Sequence, residues 1–100
     1  MNNTKRDTIK EQFQKEAIIY GNIWMYFIQV AVEVIERCRE LNIPIHGLEA
    51  FRIQSFGIQP SQADSTWFHD KNIGNWDEAI TFIESKKTTE FIFEIWYEDY

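Results

Sequence analysis

Apolar residues along this chain follow two rhythms, one of three to four residues and one of two. Ile9, Phe13, Ala17 and Tyr20 stand four, four and three apart, which predicts one stripe of a helix over residues 8–20. Thr8 followed by Glu11 has the form of a capping box at its start. The polar residues 1–7 before it predict a frayed segment. Gly21-Asn22 interrupts the run and predicts an end or a bend, since glycine inside a helix costs about 1 kcal/mol. The pattern is clearest next: Phe27, Val30, Ala31, Val34, Ile35, Cys38 and Leu41 recur at steps of three and four. Gln29, Glu33, Glu36, Arg37 and Glu40 fill the opposite side, so this is an amphipathic helix facing a core. Ile23, Trp24 and Met25 extend its apolar surface at the start. Asn42 suits a left-handed residue after the helix, and Pro44 prevents continuation.

From Ile45 the content changes. Residues 45–53 read as a strand on their β-branched and aromatic side chains, although both faces are mixed. Ser55-Phe56-Gly57 predicts a turn, with Gly57 available for positive φ. Pro60 leads into a polar loop over residues 61–64, and residues 65–69 predict a second strand antiparallel to the first. Residues 70–74 read as a loop. Asn75, with Glu78 three residues on, is a candidate N-cap for a helix whose stripe is Trp76, Ala79, Ile80 and Ile83. Lys86 and Lys87 then suit the negative end of its dipole. Residues 89–97 form the last predicted strand. Phe91, Phe93, Ile95 and Tyr97 line one face, and Ile92 and Trp96 make the other partly apolar, so this strand should be central or covered on both sides. The prediction is a single α+β domain over residues 1–100, with helices packed on one face of a small antiparallel sheet in the order α-α-β-β-α-β.

Composition narrows the function. Aromatic residues make up 16% of the chain, so either the core is rich in rings or some rings lie at a partner surface. The net charge of −6 is uneven. Residues 1–50 carry six cations against seven acids, −1, and residues 51–100 carry four against nine, −5. An acidic half argues against nucleic acid, whose phosphates need cations, and fits a basic protein partner attracted by electrostatic steering. Cys38 is the only cysteine, which excludes an internal disulfide, and its place on the apolar stripe predicts a buried small hydrophobe. The polar start lacks a secretory apolar core, and residues 23–35 are too short and too interrupted by Gln29 and Glu33 to span a bilayer. The expected location is the cytoplasm.

No catalytic or cofactor motif stands out. His46, His69 and Cys38 lack metal-ligand spacing. Ser55, Ser61 and Ser65 lie near a histidine, without a nucleophile elbow or an acid to orient the base. Asp77-Glu78 and Glu98-Asp99 are adjacent pairs, which read as a dipole-compensating first turn and a solvated tail. No glycine-rich phosphate loop is present. An enzyme, a metal and a cofactor are therefore not expected.

What remains is a surface. Glu49, Arg52, Asp64, Trp67, Asp70 and Asp77 gather around the predicted strand pair and its loops. Trp67 and Phe68 are neighbours, so in a strand one points under the helices and the other away. An aromatic ring surrounded by carboxylates is a suitable anchor against a basic protein surface. The alternative is that both rings are covered within the domain.

The segments GLEAFRI and GIQPSQADSTWF, with their surroundings, resemble small bacterial immunity proteins. Similar proteins include those that neutralise tRNA-cleaving colicins and those of contact-dependent inhibition and other polymorphic toxin systems. The resemblance covers residues 27–97: an amphipathic helix over 27–41, a break at 42–45, a strand over 47–53 opening on Gly47-Leu48-Glu49-Ala50, an aromatic strand at 66–68, a helix over 76–85 and an apolar strand over 91–97. The helix before residue 27 is additional to the colicin type. The resemblance implies a protein that binds a toxin made by its own strain and blocks the toxin's active site. The implied toxin is a nuclease, with an RNase acting on tRNA as one form. Glu49, Asp64, Asp70 and Asp77 would then stand in for phosphates, and Trp67 for a stacked base. A binding adaptor without a toxin partner is the alternative reading.

Overall fold

The computed structural model describes residues 5–69, 73–86 and 90–97, with side chains from Thr8 onward. Asp70, Lys87, the start of the predicted last strand at Thr89 and the acidic tail after Tyr97 lie outside the described residues, as do residues 1–4. The elements are α1 (Lys5–Phe13), a 3-10 turn (Gln14–Glu16), β1 (Ile18–Tyr20), β2 (Ile23–Met25), α2 (Ile28–Glu40), β3 (Ile45–Gln54), β4 (Gly57–Trp67), α3 (Trp76–Glu84) and β5 (Phe91–Tyr97). The fold class is the predicted α+β, with one element pair added. A β-hairpin stands between the first two helices, so the order is α-β-β-α-β-β-α-β.

The first helix is therefore shorter than its stripe suggested. Ile9 and Phe13 are buried on α1 as that stripe requires, but Ala17 is already extended and Tyr20 is exposed. Thr8 lies inside the helix and cannot be its N-cap, and Lys5 to Asp7 are helical rather than frayed. The reason lies in Ile18-Ile19-Tyr20 and Ile23-Trp24-Met25, β-branched and aromatic triplets on either side of two turn residues. Gly21 has φ +62 at the first turn position, and Tyr20 faces Ile23 across the closed pair. A two-residue loop with positive φ matches the twist of the strands it joins.

α2 ends in a left-handed cap. Asn42 has φ 58, its N–H donates to the Arg39 carbonyl at 3.0 Å, and the Ile43 N–H donates to the Cys38 carbonyl at 2.8 Å. These two bonds form a Schellman motif, and buried Ile43 and Cys38 supply its apolar contact. Phe27, expected at the head of the stripe, instead precedes the helix in extended conformation and is 43% exposed.

β3 is the central strand of the sheet β4-β3-β5, and both pairings are antiparallel. Leu48 and Ala50 of β3 and Phe91, Phe93 and Ile95 of β5 face the helices, where they join Ile9, Phe13, Val34, Ile35, Cys38, Ala79 and Ile83 in one core. On the other face Phe51 and Ile92 pack with Met25, Ile18 and Ile23 of the hairpin. β5 is thus covered on both faces over residues 91–93, as its apolar content predicted, while lying at the edge of the sheet. That edge is met by Tyr26, which exchanges two 2.8 Å backbone hydrogen bonds with Phe93.

β4 replaces the predicted loop and short strand with one long strand. Its pairing with β3 jumps from Ala50↔Ser61 to Leu48↔Thr66, so residues 62–65 form a wide bulge opposite Glu49 alone. Ser65 holds the bulge. Its Oγ accepts from the Ala50 N–H at 2.9 Å and donates to the Ser61 carbonyl at 2.8 Å. Ser61 Oγ donates to Asp64 at 2.6 Å, and Lys86 beyond α3 donates to the other Asp64 oxygen at 3.0 Å. Lys86 therefore ties α3 to the bulge as well as lying past the helix end.

α3 docks through its N-terminus. Asn75 is left-handed (φ 64) and does not cap with its side chain, in contrast to the expectation; its Nδ2 donates to the Ile45 carbonyl at 3.0 Å. Trp76 Nε1 donates to the Ile43 carbonyl at 2.8 Å. Among the described residues, no helix is long and apolar enough to cross a membrane.

Replacing Ser65 by Ala removes both bulge hydrogen bonds and leaves the Ala50 N–H without its partner. A loss of about 1–3 kcal/mol is expected, read as a lower urea midpoint at an unchanged denaturant slope.

Candidate functional site

In an antiparallel sheet alternate residues share a face, so the register decides which side chains meet. On the face turned from the helices, Gly47 pairs with Trp67 on one side and Trp96 on the other. One step along, Glu49 pairs with Glu94. One step further, Phe51 pairs with Pro60 and Ile92. The hairpin covers only the last of these rows.

Gly47 is required by the ring beside it. A Cβ built there would lie 2.0 Å from a Trp67 ring carbon, so only hydrogen fits under the indole. The Trp67 and Trp96 ring centroids are 5.7 Å apart with planes tilted by 60°, a spacing at which aromatic pairs attract. Trp67 remains 50% exposed and Trp96 45%. Phe68 takes the other direction and packs against the helix-side core.

Beside the tryptophans a groove of about 760 Å³ runs between the hairpin and the sheet. Ile23 and Trp24 line one side, and Glu49, Phe51, Glu94 and Trp96 the other. Lys10 Nζ lies 5.0 Å from the Trp24 ring centroid within the same groove. The Glu94 carboxyl is pushed up to about 7, first by burial and then by the neighbouring Glu49 charge and a hydrogen bond shared with Glu49. A hydrogen bond with Trp96 acts in the opposite direction. Two carboxyl groups in this position cannot both ionise without cost, so one holds a proton up to neutrality.

No family model, curated protein or solved structure matches this chain.

The six candidate residues from the sequence do not form one cluster. Glu49 and Trp67 lie on the open face. Arg52 and Asp64 meet elsewhere, in the network that holds the bulge. Arg52 Nη2 is 3.9 Å from Asp64, its Nη1 is 3.3 Å from Glu90, and its guanidinium is 5.0 Å from the Phe91 ring centroid. Hydrogen bonds from Ser61 and Lys86 hold the Asp64 carboxyl below its usual range. Asp77 stands in the first turn of α3 and pairs with Arg39 of α2. Its side chain is 92% exposed, and it lies apart from the row of Glu49 and Glu94 and the tryptophan pair. Asp70 lies outside the described residues.

Trp96, Glu94 and Gly47 complete the face and were not among the candidates. Part of the signal was present. Placing Phe91, Phe93 and Ile95 inward puts Ile92, Glu94 and Trp96 on the opposite side. The missing information was the register that sets Glu94 beside Glu49 and both tryptophans beside Gly47.

Cys38 is buried in the core as predicted, and burial pushes its thiol up to about 12. Among the described residues no group of three or more His, Cys, Asp or Glu side chains is placed to hold a metal.

Two outcomes are expected. Glu94 holds its proton more tightly in the folded chain, at about 7, than in the unfolded chain near 4.5. Folding takes up a proton between those values, so its stability contribution falls as pH rises through that window. Glu94→Gln should therefore raise the melting temperature at pH 8 and change it little at pH 4. Gly47→Ala should displace the Trp67 indole, seen as loss of the near-ultraviolet circular dichroism of the tryptophan pair while the far-ultraviolet spectrum is kept.

Proposed function

We propose that this chain is an immunity protein: it binds a basic bacterial toxin domain, of the nuclease class, and neutralises it in the cytoplasm of the producing strain. The observation that carries the reading is the open sheet face. Two half-exposed tryptophans meet in a tilted ring contact beside two carboxyl groups, on a sheet whose reverse side is anchored by three helices. Large rings on a rigid support are the usual anchors of a protein interface, because little side-chain freedom is lost when they are covered. The net charge of −6 supports capture of a basic partner, since steering raises the association rate toward a positive surface. Nuclease sites are basic because they hold phosphates. On this reading Trp67 and Trp96 stand where nucleic-acid bases would stack, and Glu49 and Glu94 offer charge to the cations of the toxin's groove. Arg52, Asp64 and Asp77 shape the scaffold and do not contact the toxin.

The decisive experiment captures partners with the tagged chain from its own strain, and then assays the captured protein for RNA or DNA cleavage with and without added chain. The expected result is a basic nuclease fragment whose activity is suppressed at one-to-one stoichiometry. Trp67→Ala and Trp96→Ala should each weaken inhibition by roughly 30-fold or more, the scale of a hot-spot residue, while Asp77→Asn leaves it intact. A captured partner without nuclease activity, or one that remains active in the complex, overturns the toxin reading in favour of an adaptor. Full inhibition by the double tryptophan variant would place the contact on another surface.

A further inference from the structure

The groove beside the tryptophan pair has a chemistry of its own, and it narrows what the partner must present. Its sheet side brings Glu49 and Glu94 together as cross-strand neighbours, with Trp96 next along that face of β5 and Trp67 in tilted ring contact with Trp96. The hairpin side contributes Ile23 and Trp24, which carry no charge, and Pro60 of β4 adds none. Among the described residues, the other titratable groups that line it are Lys10 from α1, Tyr26 and Tyr97. Tyr26 is pushed up to about 12 by burial and stays neutral near pH 7. Two acids against one lysine among the described lining residues leave the groove short of positive charge. The lysine it does hold already lies on an indole, with Lys10 Nζ 5.0 Å from the Trp24 ring.

Resting on the immunity reading above, we infer that this groove receives one arginine side chain of the partner, its guanidinium set between Glu49 and Glu94 and against the Trp96 ring. A divalent cation is a poorer fit. Calcium and magnesium take six or more oxygen ligands and zinc takes four, and among the described residues no group of three or more His, Cys, Asp or Glu side chains is placed to hold a metal. Lysine offers a point charge. Arginine offers a planar fork that bonds two carboxylates at once and stacks on an aromatic face, which matches both features of the groove.

The carboxyl pair also sets how binding depends on pH. In the free chain the proton on Glu94 relieves its repulsion with Glu49. A guanidinium takes over that role, so binding below neutrality expels the proton to solvent. The form ready to bind is the one with both carboxylates ionised, and its share grows as pH rises through about 7. Affinity for a guanidinium should therefore increase by roughly tenfold between pH 6 and pH 8, in proportion to that share.

The test uses the whole chain and a probe in place of the toxin: the blocked peptide acetyl-Gly-Arg-Gly-amide, with citrulline and lysine versions as controls. Nuclear magnetic resonance follows the indole N–H signals of Trp67 and Trp96 and the amides of residues 94–96. The expected result is a saturable shift of these signals by the arginine peptide, weaker with lysine and absent with citrulline, and tighter at pH 8 than at pH 6. Glu94→Gln, whose fold is checked by its amide spectrum, should weaken binding at pH 8 and reduce the pH effect to less than about twofold. Equal shifts by the citrulline peptide, no saturable shift at millimolar peptide, or an unchanged pH dependence in Glu94→Gln overturns the inference. Because no toxin takes part, the two proposals fail separately. Arginine binding without nuclease inhibition sinks the immunity reading alone. Nuclease inhibition that depends on the tryptophans, with no selectivity for arginine, sinks this one alone.

Discussion

A three-stranded sheet has two faces, and both faces of this one carry large apolar side chains. Phe91, Phe93, Leu48 and Ile95 point one way, and Phe51 and Ile92 the other. Each such side chain left in water forfeits about 1.5–3 kcal/mol, so both faces must be covered. The three helices can serve only one side. The hairpin of residues 18–25 covers part of the second, attached to the edge of β5 by the paired bonds of Tyr26 and Phe93. Its six strand residues are too few to cover the whole face. The groove and the open tryptophans are what remains beyond the hairpin.

The uncovered rows differ in chemistry from the covered one. Where the hairpin lies, the residues are Phe51, Ile92 and Ile58. Beyond it come the Glu49–Glu94 row and then the Trp67–Gly47–Trp96 row. The β4 bulge falls opposite Glu49, so the sheet loses its regular ladder at the acidic row. The bulge is not loose. Ser65 gives the Ala50 N–H the partner that β4 backbone would otherwise supply, and Asp64, Lys86 and Arg52 anchor its outer side. A rigid sheet floor allows an exposed ring pair to act as an anchor, because the rings are already held where a partner would meet them.

Two kinds of acidic residue result, and they respond to pH in opposite directions. Asp64 is held by donors and keeps its charge further into acid, so its network weakens only as pH falls below the ordinary carboxylate range. Glu94 is held by burial and a like charge, and it keeps its proton up to neutrality. The first arrangement stabilises the fold. The second costs stability at neutral pH, the kind of local strain that binding sites retain when a ligand can relieve it.

Local pattern carried much of this fold. The stripe of α2, the Asn42 cap, the long β3, the stripe of α3 and the apolar β5 were all legible, because each rests on residues within a turn or two of one another. The hairpin was misread as a helix extension. Four residues at helical spacing can coincide with strand-forming triplets around Gly21-Asn22, and only burial against Phe51 and Ile92 separates the two. The functional face was half legible. Glu49 and Trp67 could be singled out as a carboxylate and a ring near a strand pair, but Arg52 and Asp64 belonged to a structural network and Asp77 to a helix start. The sequence by itself determined α2, β3, α3 and β5, the acidic balance and the buried cysteine, since periodicity, composition and propensity act over short distances. Tertiary structure alone decided that Glu94 stands beside Glu49 and that Trp67 meets Trp96 over Gly47. Those meetings depend on the register of β3 against two strands, one of them bulged, and a one-residue slip would turn each strand's side chains to the opposite face.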